Sequence, residues 1–347
     1  MRARPCFGAC GWRALGVTLA VAASALALAA CGAASAGSGG ATGSGSASAS
    51  PITIPVTSSP VPGASGSSPA PSVIEQAPVQ HVKVGDLDVG YRTIGPFGAA
   101  ADSTPLLMIM GSSGTMDMWS PQFVNDLAQG REVVVFDNRG MGETDDPGGA
   151  HRLSQLADDT AGLIKALGFS KVDVLGWSMG GDVALDLTVR YLAEVRRLVS
   201  YAGDAGGSHA IPMSKETLAV MTDMSGTVEQ RGMRLLTLLF PASYRDANPK
   251  YYESFPQTKE QTSAKAIERQ DAAIGEWKGV WSGIRSITAP TLFVTGAEDV
   301  IAPAENAKLM AAVVPGAELT VIPGAGHRLM YQDPQKLAAV VMDFLDK

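Results

Sequence analysis

Cysteine is nearly absent: three occur in 347 residues, two of them within the first ten and the third at position 31. A folded domain downstream of Cys31 therefore has no disulfide framework, no thiolate nucleophile and no cysteine metal site. Charge is missing from one long stretch, since no Asp, Glu, Lys or Arg stands between Arg13 and Glu75. Basic residues are also outnumbered, 27 Lys and Arg against 34 Asp and Glu, for a formal net charge of −7. An acidic chain without a basic run is a poor match for nucleic acid or anionic lipid surfaces, so neither is expected as a partner. Nothing in the sequence sets up a repeat, a coiled coil or an obligate protein partner.

The charge-free stretch speaks to location. Arg2, Arg4 and Arg13 precede Ala14 to Ala30, an apolar run that ends in Leu28-Ala29-Ala30-Cys31. A positive start, a short apolar core and small residues at its end describe a secretory signal peptide, and the run is short for a membrane span. Because the last residue is cysteine, the segment resembles a bacterial lipoprotein signal. That resemblance implies removal of residues 1–30, acylation of Cys31 by palmitate-type chains, and anchorage on the outer face of the cell membrane. Without acylation the protein would be secreted. Removal of the three arginines takes the formal charge from −7 to −10. Gly32 to Ser72 is dominated by Gly, Ala, Ser, Thr and Pro, a composition that cannot bury a core, so residues 31–75 are expected to form a disordered tether. Roughly 45 such residues reach about 35 to 40 Å on average. The remaining 76–347 are numerous enough to bury a core without disulfides.

The chemistry-bearing segment is Val172-Asp-Val-Leu-Gly-Trp-Ser-Met-Gly-Gly181, an apolar strand-like run that ends in Gly176-x-Ser178-x-Gly180 and continues into an amphipathic segment, Asp182 to Leu192. A serine hydroxyl attacks at neutral pH only when exposed, set beside a base and backed by hydrogen-bond donors. Glycines on both sides are expected to let the chain make a strained turn, and the first turn of the following helix leaves N–H groups free. Such a serine needs a histidine, and an acid that orients the imidazole. Of the four histidines, His81 stands before the first expected core strand, His151 in a Gly-rich turn and His209 in Gly206-Gly-Ser-His. His327 follows the strand-like Leu319 to Ile322, and upstream of it Thr291-Leu-Phe-Val-Thr-Gly296 breaks and presents Asp299 three residues later. Glu298 and Asp204 are the rival acids; the Gly296-to-Asp299 spacing favours Asp299.

Three strand ends in the order Ser178, Asp299, His327 resemble the α/β-hydrolase family over most of Val79 to Lys347. The resemblance implies an α/β fold with a mostly parallel, doubly wound sheet, helices on both faces and a helical cap insertion at about 204–286. It implies oxyanion donors from the Met179 N–H and from Gly111 or Ser112 in the loop after Leu106-Leu-Met-Ile-Met110, where the family often carries His-Gly and this chain has Met110-Gly111. Asp137-Asn-Arg-Gly-Met-Gly142 is similar to a family turn, with Asp137 and Arg139 expected to tie it structurally. Within the insertion, Met213, Met221, Met224, Met233, Leu235 to Phe240, Tyr244, Tyr251, Tyr252, Phe255, Trp277 and Trp281 are candidates for an apolar wall above Ser178.

The expected activity is hydrolysis of a small carboxylic ester through an acyl-enzyme, with neither a metal nor an organic cofactor. Ser178-Met-Gly-Gly181 also resembles cofactor-free haloperoxidases, so perhydrolysis stays open, as does acyl transfer to an alcohol. A non-catalytic ligand-binding lipoprotein is the alternative from another class.

Overall fold

The computed structural model describes residues 73–96, 104–254 and 262–347. The signal segment, Cys31, the tether up to Ser72 and Phe255 lie outside the described residues. The elements run in order α1 (Val73–Gln76), β1 (Gln80–Val84), β2 (Leu87–Ile94), β3 (Leu106–Ile109), α2 (Pro121–Leu127), β4 (Val133–Phe136), α3 (Leu153–Ala166), β5 (Val172–Trp177), α4 (Met179–Arg190) and β6 (Val195–Tyr201). Then come α5 (Lys215–Met221), α6 (Val228–Leu239), α7 (Ala242–Ala247), α8 (Ala264–Glu276), β7 (Thr291–Gly296), α9 (Ala304–Ala311), β8 (Glu318–Ile322), α10 (Leu329–Gln332) and α11 (Pro334–Leu345). The helix α1 lies at the end of the stretch 31–75 read as tether. It is held by Ile74, which is buried in the core and whose carbonyl accepts from Arg92 Nη1 at 2.8 Å.

Eight strands form one sheet in the order β1-β2-β4-β3-β5-β6-β7-β8. The β1–β2 and β2–β4 pairs are antiparallel and every other pair is parallel. Both faces are covered, which is why β3 and β4 read as unbroken apolar runs rather than alternating ones. Alternation shows in where the side chains go. Val133 and Val135 join one core with α2 and α11, while Val134 and Phe136 join the other with α3 and α4. This is the doubly wound architecture that the resemblance implies.

Between β6 and β7 the described residues contain helices and no strand, as expected for a cap. Their starts are written in the sequence: Ser214, Thr227 and Ser263 each accept a backbone N–H three residues on, and Thr227 with Gln230 completes a capping box. Among the described residues no helix is long and apolar enough to cross a membrane. Because β3, β5, β6, β7 and β8 are parallel, the loops after them gather on one edge of the sheet, where ligand sites of such sheets lie.

Candidate active site

Ser178 sits between β5 and α4 with φ 55° and ψ −127°, a backbone region that a residue carrying a β-carbon rarely occupies. The turn is held by Ser178 N–H donating to Tyr201 O at 2.9 Å and by Gly181 N–H donating to Ser178 O at 2.7 Å. The glycines contribute differently from the sequence expectation. Neither Gly176 nor Gly180 has positive φ; the strained residue is the serine itself. What the glycines supply is room: a β-carbon on Gly176 would lie 1.9 Å from Gly180 O, and one on Gly180 would lie 2.1 Å from Ile109 O.

His327 Nε2 lies 3.0 Å from Ser178 Oγ, and His327 Nδ1 lies 2.7 Å from Asp299 Oδ2. A carboxylate accepts the hydrogen bond from Nδ1–H and so keeps the proton on Nδ1, which leaves Nε2 to accept from the hydroxyl. Asp299 Oδ1 is occupied by the N–H groups of Ile301 and Ala302, both at 2.9 Å, so the carboxylate is fixed on both oxygens. Of the three acids the sequence leaves open, Asp299 is the one on the imidazole. Glu298 is exposed, and Asp204 Oδ1 accepts from Gly206 N–H at 2.6 Å. The His327 carbonyl accepts from Trp177 Nε1 at 3.0 Å and from the Tyr201 hydroxyl at 2.9 Å. Burial pushes the Tyr201 hydroxyl far above its ordinary pKa, so it remains a donor. The other histidines lie elsewhere: His81 is on edge strand β1, ahead of the first buried strand, His151 is buried beside Asp146, and His209 stacks on Trp281.

Met179 is the first residue of α4, where an N–H has no carbonyl of its own helix to meet. Gly111 lies against the serine; a β-carbon there would meet the Trp177 ring at 2.8 Å and Ser178 Cβ at 3.2 Å. Ser112 lines the cavity beside it. The next residue, Ser113, has φ 58°, and its N–H donates to Gln270 Oε1 of α8 at 2.6 Å. Adjacent to Gln270, Asp271 Oδ1 accepts from Ser112 Oγ at 3.4 Å. Two neighbouring cap side chains therefore hold the loop that carries Gly111 and Ser112. Neither is singled out by sequence reasoning, although one signal exists: 266, 267, 270, 271 and 274 share a face of α8, which sets polar Gln270 and Asp271 among Ala266, Ile267 and Ile274. Asp137 does tie its turn, accepting from Met116 N–H at 2.6 Å and Glu143 N–H at 2.9 Å. Arg139 instead reaches out to α3, pairing with both oxygens of Asp159 at 2.8 Å.

A cavity of about 280 Å³ opens over Ser178 and His327. The cap lends it Met213, Met221, Leu235, Leu238, Leu239 and Ile274. Other apolar candidates of the insertion go elsewhere: Phe240 stacks on Tyr244 and meets Tyr251 edge-on, Trp277 and Trp281 pack on the α4 side of the sheet, and Met233 and Tyr252 are exposed. Three carboxyls also reach the wall, Asp182, Asp204 and Asp271. Burial pushes Asp271 up to about 6. Burial and the neighbouring Asp204 carboxylate hold Asp182 well above the usual range, and burial raises Asp204 as well.

A model of the alpha/beta hydrolase family matches residues 106–340, which include every strand from β3 onward and all three residues of the hydrogen-bonded series. The chain belongs to that family. Among curated proteins, this alpha/beta hydrolase is 29% identical over 280 residues to a 2-hydroxymuconate semialdehyde hydrolase of Pseudomonas putida, covering 78% of this chain and 96% of that one. It is 26% identical over 253 residues to a poly(3-hydroxyalkanoate) depolymerase of Ectopseudomonas oleovorans, covering 70% and 85%. Among solved structures, a hydrolase from Pseudomonas aeruginosa PA01 superposes with a TM-score of 0.65 at 26% identity, covering 78% of this chain and 98% of that one. A thermophilic esterase from Thermogutta terrifontis gives 0.64 at 23% identity, covering 78% and 98%, which is a likeness of fold.

Proposed function

We propose that this alpha/beta hydrolase cleaves carboxylic esters through an acyl-enzyme on Ser178. The observation that carries the reading is the series Ser178 Oγ, His327 Nε2 at 3.0 Å, and His327 Nδ1 to Asp299 Oδ2 at 2.7 Å. As Oγ bonds to the acyl carbon, His327 takes its proton and Asp299 stabilises the imidazolium. The N–H groups of Met179 and of Gly111 or Ser112 take the oxyanion of the tetrahedral intermediate. Collapse breaks the bond to the alkoxy group, which leaves with the proton from His327. Water then attacks the acyl-enzyme, giving its proton to the same imidazole, and the acid leaves as Ser178 is regenerated. Names among the relatives that denote hydrolases and an esterase fit this reading.

The test is turnover of p-nitrophenyl esters from acetate to palmitate by the purified full chain beside Ser178→Ala, with fluorophosphonate labelling of both. Turnover and labelling confined to the unmodified chain support the reading; failure of the unmodified chain to label overturns it. We further propose export and acylation at Cys31, which would keep the domain within about 40 Å of a membrane. Expression of Cys31→Ser should move the protein from the membrane fraction to the medium, and unchanged membrane association would refute the anchor.

A further inference from the structure

The folded domain carries no thiol, because the three cysteines stand at positions 6, 10 and 31, so methionine thioethers are the sulfur that an oxidant meets there. Several of them are shielded. Met108, Met110, Met116, Met141 and Met330 are fully buried. Met179, next to the nucleophile, touches the cavity but is only 4% exposed and belongs to the core that α3 and α4 cover. Met118, Met213 and Met221 are different: each is partly exposed, and all three line the cavity over Ser178. Met118 ends a single helical turn, Met116–Met118, after β3, whereas Met213 precedes α5 and Met221 closes it. Core and cap thus both place thioethers on one wall. Met221 also packs on Leu235 and Leu238, which line the same cavity. A thioether is an apolar, adaptable wall group until it is oxidised, when it gains a polar oxygen.

We propose that Met118, Met213 and Met221 form a modification site for hydroperoxides, and that their oxidation weakens the cavity's hold on alkyl chains. Its bearing on ester substrates rests on the cavity being the substrate pocket of Ser178. The step is an oxygen transfer. The sulfur lone pair bonds to one oxygen of hydrogen peroxide, the O–O bond breaks, and the proton on the transferred oxygen leaves with the departing hydroxide as water. Sulfur loses two electrons and the peroxide gains them, so each peroxide consumed makes one sulfoxide. Hydrogen peroxide is small and uncharged, and neither an apolar lining nor a carboxyl repels it. The neighbouring side chains Leu235, Leu238, Leu239, Ile274 and Ile301 have no hydrogen to donate to the new oxygen. Water solvates that oxygen in the free enzyme, and an alkyl chain that displaces the water leaves it unsatisfied, which is the cost that turns the chain away.

The test treats the full chain with hydrogen peroxide, reads each methionine by peptide mass spectrometry, and follows calorimetric binding of hexan-1-ol, a neutral alkyl probe. Sulfoxide should form at Met118, Met213 and Met221 while Met108, Met110 and Met116 stay reduced. The dissociation constant of hexan-1-ol should rise about tenfold, and methionine sulfoxide reductases with a thiol reductant should reverse the rise. In a chain carrying Met118→Leu, Met213→Leu and Met221→Leu together, which conserves volume, peroxide should leave the dissociation constant where it was. The single substitutions should each remove part of the effect and serve if the triple variant folds poorly. Met233→Leu removes an exposed thioether outside the cavity and should leave the sensitivity in full. Cavity thioethers that stay reduced while Met233 oxidises overturn the proposal. So does a rise that survives the triple substitution, or an untreated chain that binds no hexan-1-ol. Neither readout needs turnover. A chain that behaves as expected here yet hydrolyses no ester removes the catalytic reading and leaves the modification site standing, whereas one that hydrolyses esters with its cavity thioethers unoxidised does the reverse.

Discussion

Buried carboxylates occur at both edges of the sheet, and their treatment is opposite. At the amino ends of the strands Asp173 is fully buried, yet Arg131 pairs with it at 3.1 Å and Arg196 grips both its oxygens, while Arg131 also reaches Asp346 beyond α11. At the carboxyl ends Asp271 is almost as buried and keeps an oxygen without a donor. The lower cluster closes its own charge and ties β4, β5, β6 and the end of α11 together. The upper one lines a cavity and keeps its second oxygen buried and without a donor. Two acids of similar burial thus differ in the completeness of their partners, and burial alone does not predict which is satisfied.

The comparison can be broken or sharpened by substitution. The largest effect expected is at the serine: Ser178→Ala should lower kcat by about 10⁴-fold or more with an unchanged melting temperature, read from ester turnover and a thermal scan. Asp173→Ala should do the reverse. It leaves two guanidinium groups around an empty site and should cost about 3 to 5 kcal/mol, seen as a melting temperature lower by on the order of 10 °C, while fluorophosphonate labelling below the melt persists. Gln270→Ala removes the acceptor for Ser113 N–H and should lower kcat about tenfold with little change in KM. Gln270→Glu, which restores an acceptor, should recover part of that loss, and a KM effect alone would argue against a positioning role.

The smallest effect is on stability at Asp271, and its sign is opposite to that at Asp173. The native carboxyl is raised to about 6 from an ordinary 3.8, so the folded state holds this proton more tightly than the unfolded state does. Stability is therefore lost as pH rises from about 4 to 6 and stays lost above that. Asp271→Asn should be more stable than the unmodified chain at pH 8, by on the order of 1 kcal/mol, and the advantage should vanish toward pH 4. A variant less stable at pH 8 would place Asp271 with the structural acids.

Much of the fold is legible because its parallel strands are short apolar runs that break at glycine, so the strand ends carrying Ser178, Asp299 and His327 stand out in order. The geometry of the turn is less so. Gly176 and Gly180 look like sources of flexibility, and only the packing of Gly180 against Ile109 shows that they are sources of space. His81 precedes the first core strand, β2, as expected, but stands on an edge strand, β1, whose exposed side chains give a weak apolar signal. Gln270 and Asp271 read as ordinary polar residues of an exposed helix. Their partners, Ser113 and Ser112, lie more than 150 residues upstream, and no local pattern links such distant segments.

That same link bears on how relatives of this protein could be recombined. Because Gln270 of the cap holds the loop beside Ser178, the cap is not an interchangeable module laid over a finished catalytic base. A cap transplanted from another member, to alter which substrates enter, would need to bring an acceptor at the position of Gln270. Without one, the graft would change the lining and slacken the loop in the same step.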